Sequence, residues 1–147
     1  MNKTLSDYIT LSKKIDDLQF DKKLKVSILS SFTLNGLDET LHVKCSELGI
    51  RYQSFIADYN QYHQELLDSN SNFYNFSADI TFLILDIRNF FGDNFYKSHN
   101  LSVQENRLIV REKITELENI IKNFEKNSDS KLVISNFSIP TYSPSGI

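Results

Sequence analysis

Hydroxyl side chains cluster directly after the first strongly apolar segment of the chain. The segment 25–34 alternates apolar and polar residues, and its second half contains Ser30, Ser31, Phe32 and Thr33. A strand that passes through such a turn into a helix presents hydroxyl groups and backbone N–H groups, and open α/β sheets bind ligands at this position. The sequence therefore predicts a ligand-binding corner here.

A second polar group follows the apolar segment 80–85. Asp86, Arg88 and Asn89 come directly after it. Asp86 and Arg88 can form an ion pair across the mouth of a crevice, or the arginine can bind an anionic substrate through two hydrogen bonds. The predicted ligand-binding residues of the two groups are Ser30, Ser31, Thr33, Asn35, Asp86, Arg88 and Asn89. For Ser31 the alternative interpretation is capping of the following helix or a bond to the backbone, and for Thr33 and Asn35 it is capping.

The histidines and the single cysteine do not form a recognisable metal-binding set. His42, His63 and His99 are scattered and lack a spacing such as H-E-x-x-H. Cys45 is the only cysteine, which excludes an internal disulfide and a zinc site built from paired thiolates. We therefore place no metal and no cofactor, and we expect Cys45 to be a small core residue.

Length and charge exclude several classes of function. A chain of 147 residues is typical of one domain, and a formal net charge of −3 leaves no excess of Lys and Arg to neutralise the phosphates of a nucleic acid. The apolar segment 80–85 is far shorter than the ~20 residues that span a bilayer. Because the first residues also lack the apolar core of a secretory signal, we expect neither nucleic acid nor membrane as a partner, and the cytoplasm as the location.

Hydrophobic periodicity predicts alternating helices and strands over the whole chain. We predict strands at 25–30, 51–57, 80–85 and 131–135, helices at 4–18, 37–48, 60–68 and 103–126, a loop or short helix at 86–95, and a C-terminal loop at 136–147. Gly49 is expected to end a helix in the left-handed conformation. The strand at 80–85 is expected to lie mid-sheet and to be buried on both faces.

The helix at 103–126 carries a regular apolar stripe. Its members are Val110, Ile114, Leu117, Ile121 and Phe124, at steps of four, three, four and three residues. Such a stripe is typical of a helix that packs on a sheet, and we expect it to face the core. The same spacing is compatible with a coiled coil, so a dimerisation module is a third functional hypothesis.

The order of these elements predicts an α/β fold in one domain spanning residues 1–147. Helices and strands that alternate in this way favour a three-layer, doubly wound parallel sheet with helices on both faces. We predict the strand order 2-1-3-4, in which the order reverses between the first and third strands. The two polar groups then meet in one crevice at the reversal point.

The chain resembles the N-terminal domain of the FkbH-like proteins, bacterial biosynthetic proteins of the haloacid dehalogenase superfamily. The resemblance covers about residues 24–147 and rests on the segments 28–33, 48–50, 59–62, 65–68 and 82–88, with Ser71, Tyr74, Phe76 and Asp79. It implies a domain similar to SGNH hydrolases and flavodoxin, placed before a haloacid-dehalogenase catalytic domain, so that this chain would be the N-terminal part of a longer protein. In the family, the catalytic domain loads a glyceryl unit from a phosphorylated glycerate onto an acyl carrier protein, for polyketide or related biosynthesis. The partners implied are that catalytic domain, the carrier protein and the glyceryl or acyl substrate.

The resemblance also identifies a candidate nucleophile. SGNH hydrolases carry a Gly-Asp-Ser-x-Thr block after the first strand, and alignment on Thr33 puts Ser31 at the nucleophile. Asn89 falls where an oxyanion-stabilising amide would lie, while the late Asp-x-x-His block that supplies the base is absent from the sequence. A serine without a base is a weak nucleophile at neutral pH. The first hypothesis is therefore a non-catalytic recognition domain, and the alternative is a serine esterase or acyltransferase whose base comes from His63 or from a partner chain.

Overall fold

The fold is built on a parallel sheet of four strands. The computed structural model describes residues 3–15 and 20–137. The strands are β1 (Lys22–Ser30), β2 (Ile50–Ile56), β3 (Ile80–Ile84) and β4 (Lys131–Ile134), and their order is β2-β1-β3-β4. All three pairings are parallel. The predicted fold class and strand order are confirmed.

Helices connect the strands and cover both faces of the sheet. They are α1 (Leu5–Ser12), α2 (Leu37–Glu47), α3 (Tyr62–Leu67), α4 (Asn72–Phe76), α5 (Ile87–Phe91), α6 (Asp93–Lys97) and α7 (Val103–Asn127), with a 3₁₀ turn at Ser98–Asn100. Thr4 and Ser102 begin α1 and α7 as capping boxes, each with an acidic residue three positions later. No helix in the described ranges has the length and apolar character needed to cross a bilayer.

Several predicted boundaries change in the structure. The helix predicted at 4–18 ends at Ser12, and its last part, residues 16–18, lies outside the described residues, as do residues 138–147 of the predicted C-terminal loop. A short helix that the sequence pattern did not predict, α4, follows the end of α3 after a turn, and Ser71 caps it by accepting the Tyr74 N–H. Gly49 has a φ of 72°, and its predicted left-handed conformation after α2 is confirmed.

Two apolar clusters hold the sheet between its helices. On one face, side chains of α3, α4, α5 and α7 pack over the central strands, and the cluster comprises Leu29, Tyr62, Leu66, Phe73, Leu83, Leu85, Phe90, Ile120 and Phe124. On the other face, Val26, Ile28 and Tyr52 pack against α2. The partly buried Cys45 belongs to this second cluster, where burial raises the pKa of its thiol.

The expectation that β3 is buried on both faces is met fully on one face and partly on the other. Thr81 and Leu83 are buried, whereas Ile80, Phe82 and Ile84 are only partly buried. Successive side chains of a strand point to opposite faces, so burial is complete on the face that carries α7, while on the other face Phe82 and Ile84 pack against the second cluster. The strand is nevertheless central, between β1 and β4.

The apolar stripe of α7 does not face the core along its whole length. Phe124 is buried and Leu117 packs against the larger cluster, but Val110 and Ile114 are exposed. The residue that accompanies Phe124 in the core is Ile120. The helix is therefore rotated by about a quarter of a turn from the orientation that the stripe predicts.

Candidate functional site

The carboxyl ends of β1 and β3 lie side by side. Ser30 pairs with Ile84 in the parallel ladder, and the Ser31 N–H donates to the Ile84 carbonyl at 3.1 Å, one step beyond β1. Ser31 and Asp86 therefore leave the sheet as neighbours, at the point where the strand order reverses. The two polar groups that the sequence predicts to meet are brought together.

The Ser31 hydroxyl is buried and bonded within the protein. Ser31 is 0% exposed, and its Oγ accepts the Asp86 N–H at 2.8 Å. The Ser31 carbonyl accepts a second hydrogen bond, from Asn89 Nδ2 at 2.6 Å. Both bonds span more than fifty residues of sequence, so they tie the end of β1 to the start of α5.

Ser30 stabilises the turn that follows β1. Its Oγ accepts the Phe32 N–H at 3.0 Å and donates to the Phe32 carbonyl at 2.7 Å. These bonds satisfy the backbone of the turn, as serine hydroxyls commonly do in loops. Ser30 is itself buried, so its hydroxyl has the same structural use as that of Ser31.

Asp86 and Arg88 bind each other. Asp86 caps α5 by accepting the Arg88 N–H at 2.8 Å, and Arg88 Nε and Nη2 donate to its two carboxylate oxygens at 2.9 and 2.7 Å. These bonds from the Arg88 side chain, assisted by the backbone N–H, hold the pKa of the Asp86 carboxyl below its ordinary value against the opposing effect of burial. Of the two roles predicted for this pair, the ion pair is present in the structure.

The remaining predicted residues form an exposed rim. Thr33, Asn35 and Asn89 are exposed. None of them caps α2, because that helix begins after Gly36, which makes no side-chain capping bond and has a φ of 77°. Gly36 also lies against Leu5 of α1, and a Cβ at this position would collide with that side chain. Capping of α2 by Ser31, Thr33 or Asn35 is therefore wrong, whereas the other alternative for Ser31, a bond to the backbone, is confirmed by its contact with the Asp86 N–H.

Two of the three histidines contact residues outside the corner. His63 of α3 places Nε2 at 3.9 Å from Glu116 Oε1 of α7, and its side chain is partly exposed. The His42 ring of α2 lies 5.9 Å from the Tyr52 ring of β2, centroid to centroid. Neither of these contacts reaches the Ser31 hydroxyl, whose bond partner is the Asp86 N–H.

Sequence reasoning missed one hydroxyl at this edge of the sheet. Ser135 follows β4, and its Oγ accepts the Leu85 N–H at 3.3 Å. Its position as the last residue of the strand predicted at 131–135 was a signal close to the one that identified Ser31, which directly follows the strand predicted at 25–30. With Ser135, hydroxyls that follow β1 and β4 both satisfy backbone donors at the end of β3.

The arrangement provides an exposed polar rim over a closed corner. The Ser31 hydroxyl keeps its own proton to donate, but its burial separates it from solvent and substrate. Arg88 is paired with Asp86, so the corner carries little net charge. Thr33, Asn35 and Asn89 can offer hydroxyl and amide groups to a ligand or to a protein surface.

Comparisons with known proteins identify a shared fold. No family model matches the chain, and no curated protein matches it. A solved structure described as the N-terminal part of the protein BF1531 from Bacteroides fragilis, containing a phosphatase domain complexed with Mg, is similar to 95% of this chain with a TM-score of 0.69 and 16% identity. The chain spans 35% of the length of that structure. The likeness shows a common fold with part of a protein that contains a phosphatase domain.

Proposed function

We propose that this chain is a non-catalytic recognition domain that works beside a haloacid-dehalogenase-type catalytic domain, as the resemblance to FkbH-like proteins implies. Its role is to bind the catalytic domain, the acyl carrier protein or the glyceryl or acyl substrate, while the chemistry takes place elsewhere. The observation that carries the proposal is the buried Ser31 hydroxyl, which accepts the Asp86 N–H.

The bonding of Ser31 favours a structural use of the serine. A catalytic serine needs an accessible oxygen and a base to take its proton. Here the oxygen is 0% exposed, and attack on a substrate would require it to leave the Asp86 N–H. That backbone donor would then be left without its partner inside the protein, which costs about 1–3 kcal/mol.

The motif content of the sequence also favours a partner that supplies the chemistry. Haloacid-dehalogenase phosphatases use an Asp-x-Asp nucleophile after a strand, and this sequence contains no Asp-x-Asp motif. The solved structure with the same fold contains a phosphatase domain and is almost three times as long as the matched region. A division of labour between two domains is consistent with both observations.

A fluorophosphonate probe tests the non-catalytic half of the proposal. The wild-type chain and its Ser31→Ala variant are incubated with the probe, beside a known serine esterase as a positive control and Ser30→Ala as a matched variant. We expect no labelling of this chain, because the Ser31 oxygen is buried and hydrogen-bonded. Labelling of the wild type that disappears in Ser31→Ala and persists in Ser30→Ala would establish the serine esterase alternative instead.

A titration followed by NMR tests the recognition half. The ¹⁵N-labelled chain is titrated with an acyl carrier protein, once loaded with a glyceryl unit and once unloaded. We expect amide shifts at Thr33, Asn35 and Asn89 with the loaded form, weakened by Asn35→Ala and unchanged by Asn70→Ala, which removes an exposed amide between α3 and α4. Unchanged spectra with both forms would contradict recognition of the carrier or its cargo.

A further inference from the structure

The first half of α7 exposes apolar residues to solvent, whereas its second half packs in the core. We use the name α7 stripe for Val110, Ile114, Leu117 and Ile121. Val110 is 43% exposed and Ile114 is 53% exposed, while Leu117 and Ile121 are partly buried. Four apolar residues at steps of four, three and four form a continuous ridge on a helix, and such a ridge is normally covered.

The α7 stripe borders the side of α7 that packs in the core, where Ile120 and Phe124 are buried. On its other side α7 contacts α3, where Glu116 approaches His63 and Asn123 Nδ2 donates to the Leu66 carbonyl. Ile120 and Phe124 of α7 belong to the cluster against which Leu132 of β4 packs, and β4 pairs with β3 within the described ranges. The exposed Val110 and Ile114 lie in the first half of α7, before the core positions Ile120 and Phe124.

We propose that a second copy of this chain covers the α7 stripe, with the two α7 helices packed antiparallel. In this pairing Ile114 lies against the partner's Leu117, and Val110 lies against the partner's Ile121. A two-fold axis repeats both contacts, so the same four residues form an apolar seam of four layers. The steps of three and four residues are those of helices that pack knobs into holes.

Charges beside the stripe select this register. Arg111 and Glu118 flank the α7 stripe on its solvent side, seven residues apart. In the proposed register, Arg111 of each copy lies opposite the partner's Glu118. Sliding one helix until Ile114 meets the partner's Val110 would bring the two Arg111 side chains together, which is unfavourable.

Both charged groups are available for such pairs. Within the described ranges, the Arg111 guanidinium has no ion-pair partner in its own chain. Glu118 is 3.8 Å from Lys122, a long contact between two exposed side chains that contributes little to stability. An interhelical pair with Arg111 can therefore form without the loss of a strong internal bond.

The size of the contact predicts a weak dimer. The seam covers residues 110–121 of a 25-residue helix, about three turns. An interface of this length falls below the ~1,200 Å² that stable complexes usually bury. We therefore expect association that depends on concentration, rather than a permanent dimer.

Sedimentation of the intact chain tests the proposal. The chain is measured from about 5 μM to about 500 μM, the range in which weak complexes form. We expect the average mass to rise from 17.1 kDa toward twice that value. Ile114→Asp should keep the protein monomeric over the whole range, whereas Leu108→Asp should not, because Leu108 is 57% exposed but lies outside the stripe.

Charge exchange tests the register independently of apolar packing. Arg111→Glu and Glu118→Arg should each weaken association at least severalfold, and the double variant should restore it, because the double exchange recreates both pairs with their signs reversed. Circular dichroism of each variant checks that it is folded. A monomer at the highest concentration, an equal effect of Ile114→Asp and Leu108→Asp, or a double variant no better than the single ones would each overturn the proposal.

Discussion

The corner after β1 and the first half of α7 make opposite uses of their side chains. The corner contains polar groups of the kind that bind ligands, yet Ser31 and Asp86 form hydrogen bonds within their own chain. The first half of α7 contains apolar groups of the kind that build a core, yet Val110 and Ile114 face solvent. A side chain's type therefore indicates what it can contact, and its neighbours decide whether that contact is internal or is left for a partner.

The largest difference in stability should appear when one side chain from each half of α7 is shortened to alanine. Phe124→Ala removes a ring that is 2% exposed and packs on Phe73, so we expect it to lower the free energy of unfolding by about 3–5 kcal/mol. Ile114→Ala removes exposed apolar surface, and we expect a change within about 0.5 kcal/mol in dilute solution. Urea denaturation of both variants measures the two values.

A matched pair of isoleucines provides the control for this prediction. Ile120 is 1% exposed and Ile114 is 53% exposed, so Ile120→Ala and Ile114→Ala delete the same atoms from opposite environments. We expect Ile120→Ala to cost about 2–5 kcal/mol. Similar costs for the two isoleucines would mean that the first half of α7 is packed after all.

Truncation of the corner should have a smaller effect. Ser31→Ala removes the oxygen that accepts the Asp86 N–H and leaves that buried donor without a partner, at a cost of about 1–3 kcal/mol. Thr33→Ala changes a nearby exposed side chain and should alter stability by no more than about 0.5 kcal/mol. Thermal unfolding of both variants compares them, and equal values would argue against a structural role for the Ser31 hydroxyl.

Local sequence patterns predicted the strands, the end of α2 and the position of the corner. Alternation identified β1, a continuous apolar run identified β3, Gly49 marked the end of α2, and the polar residues after the strands located the corner. The burial of Ser31 was not predictable in the same way, because its bond partner is 55 residues away. Only the assembled sheet brings the two together.

The orientation of α7 was unpredictable for a related reason. Periodicity identifies the apolar side of a helix but not which part of that side the sheet can cover. Here Ile120 and Phe124 take the core positions, while Ile114 is exposed. The prediction that the whole stripe faces the core is therefore wrong, because burial of a helix residue depends on contacts with segments that are distant in the sequence.

The pH dependence of the free energy of unfolding should show the smallest effect. It should also distinguish the partly buried Asp86 of the corner from carboxylates on the exposed surface. The bonds from Arg88 lower the pKa of Asp86 in the folded state, so the folded protein favours the ionised carboxylate more than the unfolded chain does. The resulting stabilisation is present above the ordinary pKa of an aspartate, about 3.9, and is lost as the pH falls through the lower pKa of the folded state. Denaturation from about pH 2 to pH 6 should therefore show a steeper acid loss of stability in the wild type than in Asp86→Asn, in which asparagine can still cap α5.

Asp93 provides the matched control for this measurement. Its pKa is also lowered, by a hydrogen bond from Lys97, but its side chain is 84% exposed, against 18% for Asp86. Salt screens an exposed pair more strongly than a partly buried one. In about 0.5 M salt, where the Debye length is only a few ångströms, we expect Asp93→Asn to follow the wild type while Asp86→Asn still differs from it. If the two variants instead lose their difference from the wild type together, the corner is as open to solvent as α6, and its groups remain available to a ligand.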